Sequence, residues 1–151
     1  MNTKQFFCRF ETRRTVLAPL GEPVHCAKDV VEFLRKAIYN DPGEMWREIS
    51  VALYLNKAQQ IIGYEELSVG GIDSCTFDPR PLYRTALERM AYGVIFVHNH
   101  PTGNCAPSPK DINAIDRLRK GLSTLDLILY DSIIFAEKEA YSFAEEKVIH
   151  K

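Results

Sequence analysis

Residues 93–111, Gly-Val-Ile-Phe-Val-His-Asn-His-Pro-Thr-Gly-Asn-Cys-Ala-Pro-Ser-Pro-Lys-Asp, constrain this chain more than any other stretch. An apolar run, Val94 to Val97, leads into His98 and His100; a Pro/Gly/Asn loop follows, and Ser108-Pro109-Lys110-Asp111 opens a helical pattern. That order predicts a buried strand, a loop and a helix N-terminus. In extended backbone residues i and i+2 share a face, so His98 and His100 project together and Asn99 points away. Two imidazoles side by side suit a divalent metal, and the end of an apolar strand is where sheet proteins gather sites. Asp111 offers a hard oxygen ligand if the loop folds back. Two His and one Asp leave the fourth position of zinc open, the catalytic arrangement, whereas structural zinc sites fill all four with protein, usually including Cys.

Simpler readings exist for the same residues. Ser108 is a good N-cap, Pro109 suits the first helical position and Asp111 the third. Taken alone, these residues are better explained by capping, and a lone His-x-His is as well explained by hydrogen bonds at a strand end. The combined spacing, His-x-His-x7-Ser-x2-Asp, shifts the balance, and capping does not exclude ligation.

This pattern resembles the JAMM (MPN/JAB) metal-dependent hydrolases, and His98-Asn99-His100-Pro101-Thr102-Gly103 with Pro107-Ser108 and Asp111 looks like their bacterial RadC-like branch. The similarity extends to Arg47-Glu48 before the strand Val51 to Leu55, to Glu66-Leu67-Ser68 with Gly70, to Pro79-Arg80, to Ala86-Leu87, and to Asp131 before Ile133-Ile134. The resemblance implies an α/β fold, a single mixed β-sheet flanked by helices, of JAMM/MPN-like (cytidine-deaminase-like) architecture. It implies Zn2+ held by His98, His100 and Asp111, a Ser108 hydroxyl beside the zinc-held water, and Glu48 as general base. Hydrolysis of a peptide, isopeptide or other amide bond is the reaction it implies, with a peptide or protein as substrate. An alternative is a non-catalytic metal-binding interaction module associated with DNA repair or mobile-element functions. Three departures from the family pattern stand out: Thr102 for Ser, Ser132 for the His after Asp131, and Cys26-Ala27 for Ser-Pro before the first helix. Periodicity does not separate Glu48 from Glu44, Glu65 or Glu66; only the resemblance selects it. An HNH nuclease is disfavoured because its motif residues are dispersed, and a cytidine deaminase because Pro-Cys-x-x-Cys is absent. Cys105, between the ligands, is expected to be a loop residue rather than a competing thiolate.

At 151 residues, 46% hydrophobic and 26% charged, the chain reads as one ordinary soluble domain, with residues 1–25 an N-terminal extension or edge strand and 26–145 the core. A chain of this size buries about 70% of its unfolded surface and needs no staples. Cys8, Cys26, Cys75 and Cys105 are dispersed and never Cys-x-x-Cys, which fits a reducing cytoplasm and neither a zinc ribbon nor a redox pair. No uninterrupted apolar run reaches membrane-span length. A net charge of −1 gives no global attraction to nucleic acid. Arg117, Arg119 and Lys120 read as a solvated helix end, with no interleaved aromatics. Many RadC-like proteins carry a helical, DNA-binding-type segment before this domain, and none is expected within these 151 residues.

Along the chain, Lys4 to Glu11 is a candidate edge strand and Thr15 to Val24 an irregular segment. A helix from Lys28 carries Val30, Val31, Phe33, Leu34 and Ile38. Ile49 to Leu55 and Gln60 to Val69 read as a hairpin, and Asp73 to Phe77 as a short strand. Trp46 is expected to pack. Asp78-Pro79 opens a second helix with Leu82, Ala86, Leu87 and Met90 buried, delivering the His98 strand as in a β-α-β unit. The Ser108 helix buries Ile112, Ile115, Leu118 and Leu122. Leu125 to Ala136 makes one or two strands, Ala140 to Ala144 a last short one, and the charged tail is uninformative.

Overall fold

The computed structural model describes residues 15–17, 21–40, 45–70 and 78–150, with 15–17 and 68–70 in backbone alone. In order these form β1 (Thr15–Leu17), α1 (Ala27–Ala37), β2 (Glu48–Leu55), β3 (Ile61–Gly70), α2 (Arg80–Glu88), β4 (Gly93–Asn99), α3 (Pro109–Thr124), β5 (Ile128–Phe135), β6 (Glu139–Ser142) and β7 (Lys147–His150). The strands make one mixed sheet in the order β1-β3-β2-β4-β5-β6-β7, in which only β4 and β5 are parallel neighbours. Strands β3 and β4 are both antiparallel to β2 and so run the same way, and α2 carries the chain across β2 between them. Helix α3 makes the second crossover, from β4 to β5. This is the single mixed sheet flanked by helices that the resemblance implied, and its β-α-β crossover through α2 is the one that the order of patterns implied.

Two apolar layers sandwich the sheet. On one face Val30, Val31 and Leu34 of α1 pack on Val51, Leu53, Ile95 and Val97. On the other, Leu82 of α2 and Ile115, Leu118 and Leu122 of α3 pack on Ala52, Tyr54, Val94 and Phe96. Strand β4 is buried along its whole length, which explains its unbroken apolar run. The histidines lie where that run stops, on the α3 side.

Several expectations change. Leu87 is 48% and Met90 86% exposed. Helix α2 ends at Glu88, and Met90 sits in a left-handed turn at φ 50°, so the helical stripe is broken before it reaches Met90. The buried face of α2 is Leu82, Thr85 and Ala86 instead. Ile112 is 53% exposed because it lies in the first turns of α3, ahead of the part that covers the sheet. Strand β1 forms within the segment expected to be irregular, and the charged tail supplies β7, which pairs with β6. Leu125 to Ala136 makes a single strand, β5. The strands expected at Lys4 to Glu11 and Asp73 to Phe77 lie outside the described residues. At the start of α1, Asp29 accepts from the backbone N–H groups of His25 and Cys26, so the helix is capped without the family's Ser-Pro. Among the described residues no helix is long and apolar enough to cross a membrane.

Close approach of β4 to β5 requires glycine at 93. A Cβ there would meet the Tyr130 ring and lie 2.8 Å from the Ile128 carbonyl oxygen. A Cβ at Gly121 meets only the Tyr83 hydroxyl end, which can rotate away. Gly93→Ala is therefore expected to destabilise the fold by about 1–3 kcal/mol. Gly121→Ala should cost less, because alanine recovers about 1 kcal/mol of helix propensity. Thermal melts of the two variants check this, and equal losses would contradict it.

Candidate metal centre

Strand β4 and the N-terminus of α3 supply the cluster. The pleat sends Val94, Phe96 and His98 toward α3 and Ile95, Val97 and Asn99 toward α1. His98 Nε2 lies 3.2 Å from His100 Nε2 and 3.1 Å from Asp111 Oδ1. His100 Nε2 lies 3.5 Å from Asp111 Oδ2. Two imidazole nitrogens this close repel unless a proton or a cation stands between them. Tetrahedral zinc, with bonds of about 2.0–2.1 Å, spaces its donors about 3.3 Å apart, so the donor set fits such an ion. Among the described residues no other group of three His, Cys, Asp or Glu side chains converges in this way.

Local structure holds each donor. The His100 backbone N–H donates to the Phe135 carbonyl at 3.0 Å, continuing the β4–β5 pairing past the strand end. Its Nδ1 lies 2.8 Å from the Asn104 carbonyl, which can only accept, so Nδ1 carries the proton and Nε2 faces the cluster. Gly103 turns the loop at φ 80°, and its N–H donates to the His100 carbonyl. Asp111 Oδ2 accepts from the Ser108 backbone N–H and the Ser108 hydroxyl, both at 2.7 Å, and the Asp111 N–H donates to Ser108 Oγ at 3.2 Å. This capping box leaves Oδ1 toward His98. Burial opposes the charge on Asp111, but hydrogen bonds from His100, His98 and Ser108 outweigh it and hold the carboxyl well below the usual carboxylate range. The contact with Asp111 raises His100 above the ordinary histidine value, against the effect of burial.

Glu48 begins β2, and the register Ser50↔His98 puts Glu48 on the same sheet face as the histidines. It shares a cleft of about 70 Å³ with Ser50, His98, Lys110 and Asp111. Of its rivals, Glu44 lies outside the described residues. Glu65 is fully buried elsewhere, with Oε2 accepting from the Tyr54 hydroxyl at 2.8 Å and Oε1 3.7 Å from Arg84. Glu66 does not line the cleft.

Ser108, expected beside the attacking water, donates its hydroxyl proton to Asp111 in this structure. Trp46, expected to pack, is 61% exposed, with the Arg47 guanidinium 4.9 Å over its ring. It precedes β2 and so projects past the edge of the apolar layers. Cys105 is buried against Ile134 and Ala136, and its Sγ lies 3.4 Å from Glu139 Oε1; it anchors the loop and does not join the cluster. Ser132 is buried beside Phe96, and Asp131 points to the α1 side. There Asp131 accepts from the Ser132 and Ala144 N–H groups and the Ser142 hydroxyl, while burial pushes its carboxyl up. Sequence reasoning missed Asn99, which is fully buried on the far face. Its only signal was its place between two histidines.

A family model described as RadC-like JAB domain matches residues 24–148. A UPF0758 protein of Marinobacter nauticus is 36% identical over 135 residues, 88% of this chain and 58% of that protein. A UPF0758 protein of Streptococcus suis is 36% identical over 115 residues, 76% of this chain and 47% of its own length. The chain thus spans about half the length of the curated relatives it matches, and their names state no activity. By the family model, and by relatives above 30% identity over most of its length, the chain belongs to the RadC-like JAB domain family.

Proposed function

We propose that the chain is a zinc-dependent hydrolase of the JAMM type that cleaves a peptide, isopeptide or other amide bond, with a peptide or protein as substrate. The observation behind this reading is that Glu48 shares one small cleft with His98 and Asp111, although β2, β4 and α3 bring them from distant parts of the sequence. His98 and His100 through Nε2, and Asp111 through its carboxylate, would hold the metal. When bound, zinc polarises a carbonyl and lowers the pKa of a water from about 15.7 to about 7.

Glu48 acts as general base. It takes a proton from the water that attacks the carbonyl carbon and passes it to the nitrogen as the C–N bond breaks. The water oxygen ends on the acyl fragment and the proton on the leaving amine. Ser108 orients Asp111 through its hydroxyl, and it can donate to an oxyanion only by rotating away from Oδ2. The buried layers behind Ser50 and Phe96 keep solvent from the inner wall of the cleft.

Two predictions test this reading. Protein purified without added metal is expected to hold about one zinc per chain by mass spectrometry, and His100→Ala and Asp111→Ala to lose it. Zinc at about 100 times its Kd should stabilise the wild type by about 2.7 kcal/mol. A wild type that holds no zinc even when it is offered would end the reading. Glu48→Gln is expected to keep its zinc and lose about 10²- to 10⁴-fold in kcat on a panel of peptide and isopeptide substrates. Full activity in Glu48→Gln would move the base elsewhere, and a zinc-loaded wild type without turnover would favour the interaction module.

A further inference from the structure

We infer that Asn99 is a positioning residue for Glu48: its side-chain amide grips the peptide groups on both sides of Glu48 and so sets where that carboxylate stands relative to the cluster. The inference rests on the proposed role of Glu48 as base. It deepens that role by naming what holds the base in place.

The need for such a grip follows from the sheet. Pairing of β2 with β4 runs from Leu55↔Gly93 to Ser50↔His98 and stops there. Glu48 lies two residues beyond that last pair, and its strand partner is Gly70 of β3, on the side away from the histidines. The β2–β4 ladder therefore does not secure Glu48 against the strand that carries the ligands. Asn99 does this with its side chain. The Ile49 N–H donates to Asn99 Oδ1 at 2.6 Å, and Asn99 Nδ2 donates to the carbonyls of Arg47 at 2.8 Å and Met45 at 3.3 Å. The Arg47 carbonyl belongs to the peptide group entering Glu48, and the Ile49 N–H to the one leaving it. Both backbone torsions of Glu48 are thus held from β4.

Burial makes the grip effective. Asn99 is fully buried and its bond from the Ile49 N–H is shielded from water, while the Arg47 and Met45 carbonyls are part-buried. The Tyr39 hydroxyl donates to the Ile49 carbonyl at 3.1 Å, and its ring stacks on Phe135, which secures the next peptide group. The chemistry selects asparagine. One acceptor and two donors at a single short reach are required. Aspartate lacks the donors and leucine lacks both functions, while glutamine is one methylene longer.

The cluster itself does not use this amide. His98 is carried by the ladder, His100 by Phe135 and Asn104, and Asp111 by its cap. Removing the amide should therefore separate metal binding from the presentation of Glu48. The test compares wild type, Asn99→Ser, Glu48→Gln and the double variant by zinc titration, amide hydrogen exchange and, where a substrate is turned over, kinetics. In Asn99→Ser the zinc Kd is expected to stay within about threefold of wild type, while the Ile49 amide exchanges about tenfold faster or more relative to Val97. Turnover should fall about as far as in Glu48→Gln, with less than about a threefold further loss in the double variant, because both act through one group.

Zinc lost together with turnover would overturn the inference, since the amide would then serve the ligand strand. Unchanged Ile49 exchange, or losses that multiply in the double variant, would also overturn it. Asn99→Leu, which keeps the size and removes both the acceptor for Ile49 and the donors to Arg47 and Met45, carries the same comparison if Asn99→Ser fails to fold; failure of both to fold would overturn the inference, because the amide would then serve the framework as a whole. A wild type that binds zinc but turns over no substrate would remove the proposed function alone. Zinc affinity and Ile49 exchange would still decide whether Asn99 holds the Glu48 segment.

Discussion

The antiparallel pairing of β2 with β4, with Ser50 opposite His98, is the constraint on which the site depends. Side chains alternate along a strand, so a slip of one residue would turn Glu48 to the α1 face and bring Ile49 to the histidines. What prevents the slip is burial on both faces. Val51, Leu53 and Leu55 fill the α1 layer, while Ala52 and Tyr54 fill the layer under α2 and α3. Each large apolar side chain expelled from such a layer costs about 1.5–3 kcal/mol. A register error would expel several at once and replace them with a carboxylate. The apolar core thus sets the geometry of the polar groups at its edge.

Asp111 joins the helix to the cluster. In the sequence, Ser108-Pro109-Lys110-Asp111 read as a helix cap, and capping did not exclude ligation. In the structure Oδ2 receives the Ser108 N–H and hydroxyl and lies 3.5 Å from His100 Nε2, while Oδ1 faces His98 Nε2. The positive end of α3 favours the same charge. One carboxylate therefore ends the helix and joins the cluster with His98 and His100, and the loop between His100 and Asp111 closes on it. Cys105, buried against Ile134 and Ala136, anchors that loop from below.

The strand-loop-helix segment was legible because its rules are local. Alternation put His98 and His100 on one face, and the Ser-Pro-x-Asp pattern placed the helix start. Glu48 was legible only through family resemblance. What distinguishes it from Glu65 is the fold: Arg84 of α2 and Tyr54 of β2 engage Glu65 on the same sheet face. The exposure of Leu87 and Met90 was illegible because periodicity continues past the point where the backbone leaves the helix. Strand β7 was missed because only Ile149 of its four residues is buried; pairing with β6, rather than its own pattern, makes it a strand. The grip of Asn99 was out of reach for the same reason. It joins a side chain to backbone groups 50 to 54 positions earlier.

The two histidines, alike in the sequence, are not equivalent in the fold. His100 donates its Nδ1–H to the Asn104 carbonyl oxygen, which prepares Nε2 to offer a lone pair. His98 Nδ1 is buried with no partner among the described residues. For neutral His98 to offer Nε2 to a cation, the proton must sit on Nδ1, and an unmet buried donor costs about 1–3 kcal/mol. With the proton on Nε2 instead, Asp111 Oδ1 accepts it at 3.1 Å. These hydrogen-bond partners thus favour a proton on Nδ1 at His100 and on Nε2 at His98. Ser132, which stands where the family commonly has His, projects onto this same face beside Phe96, and its buried Oγ also has no partner among the described residues. The departure from the family pattern therefore falls on the face of the one histidine of the cluster whose outer nitrogen has no partner among the described residues.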